Sequence, residues 1–360
     1  MNPLERMIRA EIAASGPMDV AEFMARALGD PVHGYYRTRD PLGAKGDFIT
    51  APEVSQMFGE LIGLWCAETW QRLGAPTPVH LVELGPGRGT LMADALRATA
   101  RAAPAFRAAL DLHLVETSPA LRDAQRARLA GAAPTWHDDV ASVPDGPALI
   151  VANEFLDALP IHQLARTEDG WCARQIAPDD ADRLAFRIAR APSPLADELA
   201  PEVARAPLGA IAELSMAARG LVGALARRCA VQGGGALLID YGPAESAAGD
   251  SLQAVRRHRP HPVLEDPGEA DLTAHVDFAA LARAARGHAA VHGPLDQGTF
   301  LRRLGIAARA EALFGDKPAT IAAAGRAALA RLIEPGQMGT LFKVMALGAP
   351  GAPTPPGFEP

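Results

Sequence analysis

The stretch Val82-Glu83-Leu84-Gly85-Pro86-Gly87-Arg88-Gly89 is an apolar run that breaks into a glycine turn just before a helical stretch opens at Thr90. Glycines at 85, 87 and 89 let a ligand lie against bare backbone, and the helix start beyond them offers unsatisfied N–H groups. A dinucleotide pyrophosphate asks for G-x-G-x-x-G, whereas the spacing here is G-x-G-x-G and position 90 is Thr. Glu83, two residues before the first glycine, suits a ligand with a cationic amino-acid portion better than one with a pyrophosphate. Glu116 comes 27 residues after Gly89, at the end of the next apolar run, where a carboxylate can accept both ribose hydroxyls of a nucleoside. In register within one βαβ unit, the turn and the acid together predict a nucleoside pocket. Trp136-His137-Asp138-Asp139 follows where a third strand ends. An acid there can take an adenine amino group, Asp138 being the first choice and Asp139 the second; a solvated turn explains the pair as well. Trp136 reads as core.

Asn153-Glu154-Phe155-Leu156-Asp157-Ala158-Leu159-Pro160 leaves the carboxyl end of a fourth strand, the ligand crevice of an open α/β sheet. Glu154 and Asp157, three residues apart, can face one cleft on a turn of helix. For a guanidinium they would hold its planar donor fork and orient one nitrogen. The plainer alternative has Asp157 capping a helix start.

The elements that must position these groups alternate. Val79–Leu84, Leu112–Glu116 and Ala148–Ala152 are short apolar runs separated by helical stretches, a β-α-β-α-β pattern that implies a parallel sheet covered on both faces. Before them, Thr50-Ala-Pro-Glu53 has the form of a capping box. The helix predicted from it puts Val54, Met57, Phe58, Leu61, Ile62, Trp65 and Thr69 on one buried face. Asp169-Gly170 predicts a hairpin over 161–177, and the Asp-, Ala- and Pro-rich 178–207 has weak periodicity. The sheet resumes at Gly235–Asp240 and closes at Gly339–Leu347. The expected organisation is a helical region over 1–75, a ligand-binding half-sheet over 76–160, an insertion of hairpin and helices over 161–230, the rest of the sheet over 231–347, and a disordered Gly/Pro-rich tail over 348–360.

With 49% apolar and 21% charged residues, 360 residues bury a sizeable core. A formal charge of −7 excludes the footprint of a non-specific nucleic-acid binder. No 18-residue window is both apolar and uncharged, so no membrane span is expected. Glu5, Arg6, Arg9 and Glu11 interrupt the first stretch, which argues against a secretory or transit segment. Three cysteines far apart form neither a disulfide framework nor a zinc knuckle, and the histidines show no ligand spacing, so no metal is expected.

Taken in order, Gly46-Asp-Phe-Ile-Thr-Ala-Pro-Glu-Val-Ser55 with Phe58-Gly59, Glu-Leu-Gly-Pro-Gly-Arg-Gly89, Val-Glu-Thr-Ser-Pro119, Asn-Glu-Phe-Leu-Asp-Ala-Leu-Pro160, Asp240-Tyr-Gly242, His275-Val-Asp-Phe278, Gln297-x-x-Phe300 and Met338-Gly-x-x-Phe-Lys343 resemble the MidA family of class I methyltransferases. The resemblance runs from about His33 to Val344. It implies an α/β, Rossmann-like class I methyltransferase fold with an N-terminal helical region and an inserted substrate-side segment. It further implies S-adenosyl-L-methionine as methyl donor and, from the mitochondrial branch, protein-arginine methylation of a respiratory complex I subunit. Glu83, Gly85, Gly87 and Gly89 fall on the family's cofactor loop and Glu116 on its ribose acid; Thr117 and Asn153, next to Glu116 and Glu154, are further candidate cofactor contacts. Asp47 and Phe48 lie on the Gly-Asp-Phe element expected to fold over the cofactor, and Glu154 on the acid after the fourth strand. His275 is a candidate acceptor contact, by analogy with other arginine methyltransferases. With no targeting segment foreseen, the bacterial, cytoplasmic branch fits better. A donor-binding assembly chaperone with little turnover and a small-molecule methyltransferase are the competing functions; self-association as a homodimer is left open.

Overall fold

The computed structural model describes residues 1–38 and 50–359, so Asp47 and Phe48 lie outside the described residues. The chain forms two compact units: residues 1–48, 156–221 and 245–281 in one, and residues 49–155, 222–244 and 282–360 in the other. The N-terminal region expected over 1–75 is thus divided near residue 48.

The second unit is built on a seven-stranded sheet: β1 (Val79–Leu84), β2 (Leu110–Val115), β3 (Thr135–His137), β4 (Ala148–Asn153), β5 (Gly234–Tyr241), β6 (Ala290–Asp296) and β7 (Phe342–Gly348). Their order is β6-β7-β5-β4-β1-β2-β3. Strands β5, β4, β1, β2 and β3 run parallel, each paired with its neighbours. Every residue of β1 and β4 is buried, as strands covered on both faces must be. The closing strand β7 runs antiparallel to both β5 and β6. β6 was not foreseen, because Ala-Val-His-Gly-Pro-Leu-Asp shows no period of two and its pairing shifts register between His292 and Leu295.

Helix α1 (Gln56–Arg72) is preceded by a separate four-residue helix, Ala51–Val54. The capping box does not form. Thr50 makes no side-chain cap bond, and Ser55, extended, caps α1 through the N–H of Met57. Glu53 instead accepts the Thr90 hydroxyl. Burial of α1 is wider than one stripe, since Glu60 is buried too, between Arg97 at 3.0 Å and Arg309 at 2.7 Å. Gly59 and Gly63 lie on the side facing α2 (Thr90–Ala102). A Cβ at Gly63 would stand 2.6 Å from the Ala95 Cα.

The tail is ordered, contrary to its composition. Trp65 donates to the Pro356 carbonyl at 3.0 Å, Arg72 to Thr354 at 2.6 Å and Arg303 to Gly357 at 3.1 Å, while Phe358 meets the Phe300 ring at 5.3 Å. Prolines need no partner for an N–H, so these bonds and the ring contact, with the Arg72–Glu359 ion pair, hold it.

The first unit contains an antiparallel sheet of strands 18–19, 170–178, 162–167 and 211–214, with 184–192 added on 170–178. The hairpin expected at Asp169-Gly170 is its centre. Part of the weakly periodic 178–207 stretch is a strand here. A smaller sheet joins 253–256, 259–261 and 271–273. No described helix is long and apolar enough to cross a membrane.

Replacing Gly63 with Ala should cost a net ~1–2 kcal/mol in urea unfolding, overpacking outweighing the gain in helix propensity. Gly220→Ala, within the helix Met216–Gln232 and open to space, should stabilise by about 0.5–1 kcal/mol. Equal gains for both would contradict the close α1–α2 approach.

Candidate functional site

The chain lays down β1, β2 and β3 in one direction and then returns to place β4 on the other side of β1, so the strand order reverses between β1 and β4. Ligands of open α/β sheets bind outside the carboxyl ends of the strands at such a reversal. The glycine turn leaves β1 there. Gly85, Gly87 and Gly89 all take positive φ, at 63°, 54° and 76°, which explains the residue type at each. Gly85 donates to the Val115 carbonyl at 3.0 Å, and a Cβ on it would meet the Phe155 ring at 2.6 Å. Gly89 is the left-handed N-cap of α2.

Two carboxylates stand beside this turn. Glu83, on β1, is 3% exposed and its Oε2 has no hydrogen-bond partner. Burial, then the charge of Glu116, pushes its carboxyl up to about 8. Glu116, directly after β2, accepts the Ser118 N–H at 2.8 Å and the Gln125 amide at 3.3 Å. Burial raises its pKa as well, against those hydrogen bonds. A cationic ligand group meeting Glu83, and hydroxyls meeting Glu116, would supply the missing donors. The residues therefore fit a donor that carries an ammonium and a ribose.

Gln125 escaped the sequence reading. Fully buried on the helix Pro119–Arg128, it donates to the Gly87 carbonyl at 2.6 Å as well as to Glu116, and accepts the Trp136 indole N–H at 2.8 Å. It ties turn, acid and third strand together. The available signal was a glutamine four residues after the buried Leu121, on the helix's apolar face. Trp136 is half-buried and packs at the core's edge.

Asp138 is exposed and pairs with Arg122 at 2.7 Å, while Asp139 caps the short turn of helix Val140–Ser142. Thr117 is exposed beside Glu116. At the end of β4, the buried Asn153 donates to Glu154 at 3.2 Å and leaves its own carbonyl oxygen without a partner. Glu154 does not begin a helical turn. It has φ +51°, donates its N–H to the Ile239 carbonyl, and its Oε1 accepts the Ala51 N–H at 2.7 Å. The next residue, Phe155, donates to the buried Asp240 carboxylate at 3.1 Å.

Asp157 and His275 belong to the first unit. Asp157 caps no helix among the described residues; its side chain is buried and its carbonyl accepts the Ala274 N–H at 3.0 Å, while the pKa of the half-buried Tyr36 is raised by desolvation and then by the charges of Asp271 and Asp157. His275 is exposed and lines a small cavity with Leu156, Glu213, Ser215 and Asp277. Asp277 caps the following helix by accepting the Ala280 N–H. The structure thus brings Glu83, Glu116 and the glycine turn together, and separately bonds the backbone of Asp157 to Ala274, the residue before His275.

The raised Glu83 carboxyl has a signature in stability. Between pH 4.5, its ordinary value, and about 8, the folded chain keeps a proton that the unfolded chain has released. Stability should therefore fall as pH rises through that window, by at most ~1.4 kcal/mol per pH unit. Thermal melts of Glu83→Gln should be flatter across it; parallel profiles for the two proteins would refute a buried, protonated Glu83.

Residues 61–295 match the family model described as "Putative S-adenosyl-L-methionine-dependent methyltransferase". The chain is 37% identical to the Drosophila melanogaster protein named "Protein arginine methyltransferase NDUFAF7 homolog, mitochondrial", over 96% of this chain and 84% of that one. It is 37% identical to the Danio rerio protein "Protein arginine methyltransferase NDUFAF7, mitochondrial", over 94% and 85%. A crystal structure from Burkholderia thailandensis, bound to S-adenosyl-homocysteine, superposes with a TM-score of 0.85 at 30% identity, covering 98% of this chain and 93% of its own. Sheet order, glycine turn and relatives agree: the chain belongs to this family of S-adenosyl-L-methionine-dependent methyltransferases, the group its motifs resemble.

Proposed function

We propose that the protein methylates arginine side chains of a protein client. The observation that carries this reading is the name shared by relatives 37% identical over more than four-fifths of their length. The client we infer is a respiratory complex I subunit, as the motif resemblance implies, met in a bacterial cytoplasm, although the named relatives are mitochondrial.

S-adenosyl-L-methionine supplies a methyl on a sulfonium with a built-in leaving group. The chain's residues then have mainly to bind and align, which accounts for roughly 7–11 kcal/mol of a barrier when donor and acceptor are well oriented. In this reading Glu83 takes the amino-acid ammonium, Glu116 holds the ribose hydroxyls, and Gly85, Gly87 and Gly89 admit the ligand to the backbone. Asn153 offers its unpartnered carbonyl oxygen as an acceptor. Thr117 lies beside the ribose, and Asp138 turns from Arg122 to an adenine amino group. Glu154 orients the acceptor guanidinium through the charge of its carboxylate. Asp157 and His275 serve the client within their own unit.

A donor-binding chaperone is the second reading, favoured by one fact: Glu154 already anchors the Ala51 backbone. Incubating the pure protein with methyl-labelled donor and a lysate from cells lacking the gene separates the readings. A labelled protein band containing methylarginine supports the first, donor binding without transfer supports the chaperone, and label in small molecules points to another acceptor.

Two variants sharpen the assignment. Gly87→Val places a branched side chain at φ 54° and should weaken donor binding by calorimetry roughly 10–100-fold from strain alone. Glu154→Gln keeps an amide oxygen for the Ala51 N–H while removing the charge. It should retain donor affinity and lose turnover by a factor on the order of 100. Undiminished turnover would leave Glu154 as an anchor only.

A further inference from the structure

Spacing along the chain conceals a cluster on one face of the main sheet. His80 lies on β1 opposite Asp111 on β2, His113 is two residues further along β2, and His137 ends β3. His80 and His113 are 6% and 2% exposed.

The acceptors at the two ends of this chain of rings decide where its protons sit. His80 Nε2 lies 3.2 Å from the Asp145 carbonyl, which can only accept, so Nε2 carries the proton and Nδ1 presents a lone pair. At the other end the Ser142 hydroxyl donates to the Asp139 carbonyl at 2.7 Å. Its oxygen therefore accepts from His137 Nδ1 at 3.0 Å. His137 Nε2 is then a lone pair, and it accepts from His113 Nδ1 at 2.9 Å. That leaves a lone pair on His113 Nε2.

Three acceptors consequently face one another. His113 Nε2 is 3.0 Å from His80 Nδ1 and 3.0 Å from Asp111 Oδ2, and His80 Nδ1 is 3.2 Å from the same oxygen. Atoms without a hydrogen between them do not converge to such distances unless a cation lies among them. One added proton can serve one of the three contacts, whereas a metal ion serves all three. Ligands bound at about 2.0–2.1 Å around a tetrahedral ion stand about 3.3 Å apart, close to this triangle. Two imidazoles and one carboxylate suit a borderline divalent transition metal rather than calcium or magnesium. The Asp111 side chain is half exposed, which leaves a way in from solvent and room for a water ligand.

We propose that His80 Nδ1, His113 Nε2 and Asp111 Oδ2 form a binding site for one divalent transition-metal ion of the zinc type. The outer nitrogens of both histidines are held as metal-bound imidazoles are usually held, His80 by a backbone carbonyl and His113 through His137 and Ser142. The ion would join β1 to β2, the strands whose carboxyl ends lead to Glu83 and Glu116. The site stands independently of the methyl-transfer reading.

The test is a titration of tag-free, chelator-treated protein with Co2+, followed by Zn2+. One equivalent of Co2+ should bind with the strong visible absorption of a four-coordinate complex, and Zn2+ should displace it. Asp111→Asn, at a half-exposed position, should weaken binding at least tenfold, and His113→Ala should abolish it, with circular dichroism checking the fold. His288→Ala, at an exposed histidine elsewhere, should change nothing. Substoichiometric uptake, uptake indifferent to Asp111→Asn, or an NMR spectrum showing a proton shared by His80 and His113 in excess Zn2+ would overturn the proposal.

Discussion

An ionised carboxylate removed from water needs a cation or several donors, and Glu83 has neither for its Oε2. It sits on β1 between Leu114 and Val151 of the neighbouring strands, and a second buried acid, Glu116, follows the end of β2. Its influence reaches further than its own oxygens: the Cys66 thiol, buried in α1, is pushed up to about 12 by burial and then by the charge of Glu83. A fold concerned only with stability would place a leucine there. Retaining the acid leaves an unsatisfied buried oxygen beside the glycine turn, and neighbouring contacts hold that turn in shape.

Those contacts are mainly backbone. Three glycines in left-handed conformations bend the chain back from β1, and the Phe155 ring fills the place where a side chain at Gly85 would lie. Phe155 is itself set by Glu154, whose positive φ is sustained by bonds to Ile239 and Ala51, and by the buried Asp240 carboxylate. Gln125 braces the turn from the opposite side. Strain at 154 is thus opposed by several hydrogen bonds, the condition under which such geometry persists. Behind the sheet, α1 approaches α2 closely because two glycines allow it, and the tail covers Trp65.

Much of this was legible. Apolar runs of strand length, an acid before three spaced glycines, and a second acid at the next strand end are local patterns, and the structure places them as their periods required. The errors have physical causes. The Thr50 capping box failed because Ser55, itself extended, offers a competing cap, which splits the helix. The Gly/Pro-rich tail looked unable to bury itself, yet Trp65, Arg72 and Arg303 supply the donors it needs. Strand β6 and strand 184–192 lacked alternation because their partners, rather than their own patterns, hold them in place.

By itself the sequence determined the class of sheet, the glycine turn that leaves its first strand, and the two acids that stand beside that turn, since each depends on residues within a few positions of one another. Tertiary structure alone decided that Gln125 connects turn to acid, that one oxygen of Glu154 belongs to Ala51, and that His80, Asp111 and His113 converge. The reason is the same in each case. Strand register and helix packing bring together groups from separate segments, and hydrogen-bond partners are chosen by distance in space, to which spacing along the chain is blind.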